Sequence, residues 1–209
     1  LRTVPPRRAA VVAAYVAVCV IWGTTFLALR TAGRTMPPLL VGGLQYAVAG
    51  AALLVWLRWR RGAWPRAAAV RAAVVPGAVL FLWGHGCAVT GVQRVPSGIA
   101  NVTAATIPLW VALIAWGRPG GTRPAGVALA GLVLGLAGVA WLVGPGLRGQ
   151  QDVSTSGLVL LFLGALGWAS GSVLAGRVAE RSRDALVPAA LQMILGGGSL
   201  IVLRAAAGA

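Results

Sequence analysis

Very little in this chain could do chemistry. Its single histidine, His85, lies in the string Trp83–Cys87 (WGHGC), inside a long apolar stretch and flanked by glycines. An ionisable group at such depth is a functional candidate by default, and imidazole is suited to relaying protons. The same residue also reads as a neutral histidine hydrogen-bonded to a neighbouring helix. The three acids, Asp152, Glu180 and Asp184, all stand outside apolar stretches. A drug–proton antiporter that pairs a cationic substrate with a membrane carboxylate therefore has no acid to use here. One histidine and three peripheral acids assemble neither a metal cluster nor a nucleophile–base set, so an enzyme is not expected. No GxxxxGK[ST] loop occurs, which argues against ATP-driven transport and implies no cofactor.

The remaining polar groups inside apolar stretches are amides, hydroxyls and tryptophans. Asn101, Thr103 and Thr106 cluster just before Pro108. Proline lacks an N–H, so the Ala104 carbonyl loses its helical partner. A freed carbonyl beside an amide and hydroxyls could meet a zwitterionic or polyol substrate; equally, the hydroxyls could cap the kink. Gln45 and Gln192 line a cavity or join helices. Trp22 and Trp168 read as gates or as interfacial anchors. Thr24, Thr25, Ser170 and Ser172 follow them and either line a pore or bond their own backbone. Gly131 and Gly135 serve a homodimer contact or packing within one bundle, and Gly167 and Gly171 allow a similar close approach.

These residues sit on seven stretches free of Asp, Glu, Lys and Arg: Ala9–Leu29, Leu39–Leu57, Ala72–Val92, Ser97–Trp116, Ala125–Gly144, Gly157–Gly176 and Ala185–Leu203. Each is long enough to cross a hydrocarbon core of about 30 Å as a helix. With 58% hydrophobic and 10% charged residues in 209, a soluble core could not hide this much apolar surface. Backbone in lipid must satisfy itself, and runs without alternation exclude a barrel. The fold class is an all-α polytopic helix bundle of about seven transmembrane helices, with the lipid bilayer as its first partner.

The net charge of +15 could suggest nucleic acid, but its placement points elsewhere. All 18 basic residues are arginines in connections and tails; 13 fall on the side of the N-terminus and 5 on the other. The positive-inside rule then puts the N-terminus in the cytoplasm of a multi-pass protein of the cell membrane. The connections are too short for a nucleic-acid module or for ligand capture. Cys19 and Cys87 lie within apolar stretches and imply no disulfide framework.

The pattern of the first two stretches begins again after the polar segment Gly146–Ser156. With one residue inserted in the second copy, Trp22 aligns with Trp168, Arg30 with Arg177 and Gln45 with Gln192. Five helices precede the second copy, and five is odd, so the copy starts from the opposite side of the membrane. That is an inverted repeat, as in many secondary transporters. The domains are residues 9–145, a first five-helix repeat, and residues 157–209, the start of a second with two helices.

The strings Ile21–Leu29 (IWGTTFLAL), Thr90–Trp116 and Gly131–Pro145 (GLVLGLAGVAWLVGP) resemble the EamA-type transporters of the drug/metabolite transporter superfamily. The resemblance implies ten helices in two inverted halves and export, or sometimes uptake, of small metabolites such as amino acids. It also implies a central cavity lined mainly by the first four helices of each half. Two departures stand out. Gln45 occupies a place where the family often has a basic residue, and the second copy is incomplete, as in a fragment or remnant of a ten-helix transporter. A seven-helix sensor or receptor is the alternative from another class, disfavoured by the duplication and by the absence of any lysine for a retinal Schiff base.

The expected small-molecule substrate cavity gathers Trp22, Thr25, Gln45, His85, Asn101, Thr103, Thr106, Pro108, Trp168, Ser172 and Gln192.

Overall fold

The computed structural model describes residues 8–62, 64–117, 125–147, 153–182 and 184–207. The proline-marked connection 118–124 and most of the polar boundary before Ser156 lie outside these. Every regular element described is helical. We number them α1 (Arg8–Ala32), α2 (Pro38–Arg61), α3 (Ala67–Arg94), α4 (Ser97–Trp116), α5 (Gly126–Leu147), α6 (Thr155–Glu180) and α7 (Leu186–Ala207). All except α5 are clearly long and apolar enough to cross a membrane, and α5 follows the remaining apolar stretch. Backbone satisfaction inside lipid explains the uniformity.

Proline and glycine set the ends. Pro38 opens α2, where its missing N–H costs nothing, and Gly62 closes it at φ 70°, accepting the left-handed conformation that stops a helix. The Ser154 hydroxyl accepts from the Gly157 N–H and caps α6.

Two helices depart from regularity. In α3, Pro76 sits inside the helix, and after Gly77 the eight residues Ala78–His85 wind as wide π turns. The Gly86 N–H reaches the Phe81 carbonyl five residues back. Such wide turns are rare and concentrate at functional sites. In α4 the regular winding breaks at 105–106, dividing it into Ser97–Ala104 and Ile107–Trp116. That is the kink expected from Pro108.

α3 is the centre of the bundle, packed against α6 and α7, and glycines are the means. The α3–α6 crossing is antiparallel: Gly84 faces Gly167 and Trp168, Leu80 faces Gly171, and Gly91 faces Gly157. A methyl built on Gly84 would lie 2.7 Å from the Trp168 backbone nitrogen. The α2–α7 crossing is equally close and also antiparallel, with Gly43 on Gly197 and Gly50 on Ala190. Helices in lipid gain little from apolar burial against each other, so close backbone packing holds them together. By contrast, Gly131 and Gly135 of α5 have nothing within 4 Å of where a methyl would be.

Candidate functional site: an aromatic cavity beside the central helix

A cavity of about 60 Å³ lies among α1, α2, α3, α4 and α6, room for a few water-sized groups. Trp22, Thr25, Phe26 and Leu29 enter it from α1, Tyr46 from α2, and Gly84, His85 and Ala88 from α3. Ala100, Ala104 and Ile107 close it from α4, and Leu161, Gly164, Ala165 and Trp168 from α6. No carboxylate, lysine or arginine is among these walls.

The wide turns of α3 bring two polar-edged rings together. His85 is only 4% exposed. Its Nε2 is buried without a hydrogen-bond partner among the described residues. Gly42 of α2 makes room for the ring: a methyl there would lie 3.0 Å from Nε2. Tyr46 stands edge-on to His85 with ring centroids 4.6 Å apart, and Trp168 is 6.1 Å from His85. Phe81 completes the stack, 4.3 Å from Tyr46 and 5.7 Å from Trp168. Tilted and T-shaped pairs at these spacings are the favourable ones. Unsatisfied buried nitrogen is costly, so an imidazole left in this state beside a cavity is suited to receiving a polar group.

One end of the cavity is sealed. Leu29, Val89, Val92, Val95, Ile99, Ala100, Leu158 and Leu161 form a buried apolar cluster across α1, α3, α4 and α6. Polar ties reinforce it. Gln93 Nε2 donates to the Leu29 carbonyl at 3.0 Å, fitting against Gly33. Arg94 donates to the Ser156 hydroxyl at 3.2 Å, and the Ser154 N–H to the Arg94 carbonyl at 3.3 Å.

Of the residues expected at the cavity, the structure brings four to it: Trp22, Thr25, His85 and Trp168. The others lie elsewhere. Gln45 is exposed, one position from Tyr46, whereas Gln192 is buried against Gly77 of α3. Asn101 donates to the Gly23 carbonyl at 3.2 Å, tying α4 to α1. Thr103 and Thr106 are buried with their hydroxyls bonded to the carbonyls of Ile99 and Thr103. Ser172 likewise donates to the Trp168 carbonyl, and Thr25 to that of Ile21. Thr106 and Pro108 instead border a separate space of about 270 Å³ between α4 and α5, with Gly131 and Gly135. Tyr46, Phe26 and the Gln93 tie were not singled out from sequence. In a helix that is apolar all round, nothing marks the face turned inward.

The match to known proteins decides the family. Residues 9–144 match the model of the EamA-like transporter family. The chain belongs to that family. It is 32% identical over 193 residues to YedA of Escherichia coli K12, named an uncharacterized inner membrane transporter, covering 92% of this chain and 61% of that protein. It is 26% identical over 188 residues to a probable amino-acid metabolite efflux pump of the same organism, covering 85% of this chain and 56% of that protein. A crystal structure superposes with a TM-score of 0.61 at 22% identity, over 96% of this chain and 68% of that one, which shows the fold. The chain thus spans about 60% of the length of the curated relatives it matches. This EamA-family chain is a multi-pass protein of the cell membrane.

Proposed function

We propose that the chain carries the substrate path of a secondary-active exporter of small metabolites such as amino acids, working by alternating access between inverted repeats. The observation that carries this reading is the cavity itself. It lies where α6, the start of the second copy, meets α1 to α4, and it holds a buried imidazole nitrogen with no partner among the described residues.

The α2–α7 crossing supports the duplication. A shift of 147 residues takes Arg30 to Arg177, Gln45 to Gln192, Gly43 to Ala190 and Gly50 to Gly197. The same shift exchanges the two contacts of the crossing, because Gly43 meets Gly197 and Gly50 meets Ala190. An antiparallel pair whose contacts interchange in this way is related by a pseudo-twofold axis in the membrane plane, the symmetry of an inverted repeat. The exposure of Gln45 fits as well. Gly77 of α3 covers Gln192, and on α2 the equivalent strip, Gln45 and Ala49, is open. In this reading the active transporter has an α3-like helix on that strip.

With the N-terminus cytoplasmic, the apolar cluster and the Gln93 and Arg94 ties close the cavity toward the exterior. Export then requires these ties to part while the cytoplasmic end closes. The walls offer aromatic faces and one imidazole and no fixed charge, which favours substrates that bring compact polar groups. Proton coupling falls to His85, the ring at the cavity whose type ordinarily titrates near neutral pH.

The experiment is efflux of a radiolabelled amino-acid panel from cells carrying this chain, or a version extended to two complete copies, each with and without His85→Gln. Saturable efflux that loses its pH dependence in His85→Gln supports the proposal. An unchanged pH profile removes the coupling role, and no saturable efflux from either version removes the amino-acid reading.

A further inference from the structure

A further cavity, of about 580 Å³, opens at the opposite end of the bundle, between the start of α3 and the α6–α7 connection. Its rim carries Arg66, which immediately precedes α3, and Arg181, which immediately follows α6. Both are exposed, and neither has a hydrogen-bond or ion-pair partner among the described residues. Glu180 and Asp184 are close in sequence to Arg181, yet neither lines the groove. Ser182 does, but its hydroxyl already donates to the Asp184 carbonyl. Below the arginines the walls turn apolar, with Ala69, Ala72 and Val187 among them. Two guanidinium groups from separate elements above an apolar floor match an amphiphile with an anionic head.

The level of the groove agrees with this. Trp64 stands in the same connection, 64% exposed, with the Arg58 guanidinium 5.7 Å from its ring, and the Arg60 guanidinium lies 5.1 Å from the Trp56 ring. Amphipathic rings and snorkelling arginines collect at the headgroup region. This is also the side of the bundle that carries most of the arginines, where attraction to anionic headgroups is strongest.

We infer that this groove is a binding site for an anionic phospholipid. Arg66 and Arg181 hold the phosphate, to which guanidinium offers paired donors, and an acyl chain lies along the alanine and valine walls. A soluble phosphate would satisfy the arginines and leave those walls wet, so the lipid is the better fit. Occupancy would fasten the α6–α7 connection to the start of α3.

The test uses the purified chain in detergent, with phosphatidylglycerol, phosphatidylcholine and inorganic phosphate as probes and retained lipid counted by native mass spectrometry. The chain is expected to retain phosphatidylglycerol at least about 10-fold better than phosphatidylcholine. Arg66→Gln/Arg181→Gln is expected to abolish that preference, and Arg60→Gln on the same side to keep it. Ala69→Phe, which fills the groove and leaves both arginines, is expected to weaken retention as the double variant does. This second variant decides the matter if the double variant is poorly folded. Equal loss in Arg60→Gln would mean diffuse surface charge and overturn the site. An undiminished preference in Ala69→Phe, or displacement of the lipid by millimolar inorganic phosphate, would overturn the assignment of a lipid.

Discussion

The α2–α7 crossing yields the most exacting prediction. A methyl on Gly197 would stand 2.6 Å from the Ala47 nitrogen and 2.7 Å from the Gly43 carbonyl oxygen. Both are backbone atoms, so no side chain can swing aside. Ordinary contact begins at 3.4 Å, and the two helices must part by roughly 0.7 Å along much of their interface. Overpacking of this kind costs about 1–3 kcal/mol, while alanine recovers roughly 1 kcal/mol of helix propensity over glycine. Gly197→Ala should therefore lose up to about 2 kcal/mol. For a domain of this size each kcal/mol is worth about 2–4 °C, so the melting temperature should fall by up to roughly 8 °C. Gly131→Ala is the control, since nothing lies within 4 Å of the added methyl. It should leave the melting temperature unchanged or raise it slightly. Thermal unfolding in one detergent, followed by tryptophan fluorescence, reads both. Equal behaviour of the two variants would refute the argument that backbone contact, and not glycine content as such, holds the bundle.

Three further outcomes follow from the site. Gly42→Ala puts a methyl 2.9 Å from His85 Cδ2 and should displace the imidazole, weakening substrate affinity about 5- to 10-fold, or about 1–1.4 kcal/mol, as read from the KM of transport. Gln93→Ala removes the donor to the Leu29 carbonyl and should loosen the sealed end, seen as faster labelling of a cysteine placed at Thr25 by an impermeant thiol reagent added from outside; unchanged labelling would count against a gate there. Asn101→Ala loses the tie to the Gly23 carbonyl and should cost only about 0.6 kcal/mol, the typical worth of an interhelical hydrogen bond in a membrane, a fall of about 1–2 °C in the melting temperature.

The sequence made some of this legible for clear physical reasons. Lipid forbids unsatisfied backbone, so continuous apolar runs become helices, and the break in α4 follows from the missing N–H of Pro108. The hydroxyls of Thr103 and Thr106 bond the carbonyls of Ile99 and Thr103, not the Ala104 carbonyl that Pro108 deprives of its helical partner. Other features gave no signal. Gln45 and Tyr46 are neighbours on α2, and only the packing tells that the tyrosine faces the cavity while the amide is exposed. On a soluble helix the polar face would have separated them. In a membrane helix both faces are apolar, and the phase is lost. The wide turns of Ala78–His85 were equally hidden, although Pro76 stands two residues before them. They set the rotation of His85, so the position of the most informative side chain depended on an irregularity that residue periodicity does not report. The glycine pairs gave an intermediate signal. Gly167 and Gly171 could be read as a close-packing motif, and they do pack on α3. Gly131 and Gly135 carry the same spacing and touch nothing within reach of a methyl. Spacing says where backbones can approach, and only the partner helix decides whether they do.

Alternating access is the central claim, and counterflow in proteoliposomes tests it most directly. Vesicles bearing the chain, extended to two complete copies, would be loaded with an unlabelled amino acid and given the labelled one outside at trace concentration. A carrier that exposes one cavity to each side in turn predicts transient accumulation of label above equilibrium, abolished by Tyr46→Ala and His85→Ala and retained in Gly131→Ala. Label that enters only to equilibrium, at a rate indifferent to the substrate inside, would contradict the account and describe a channel.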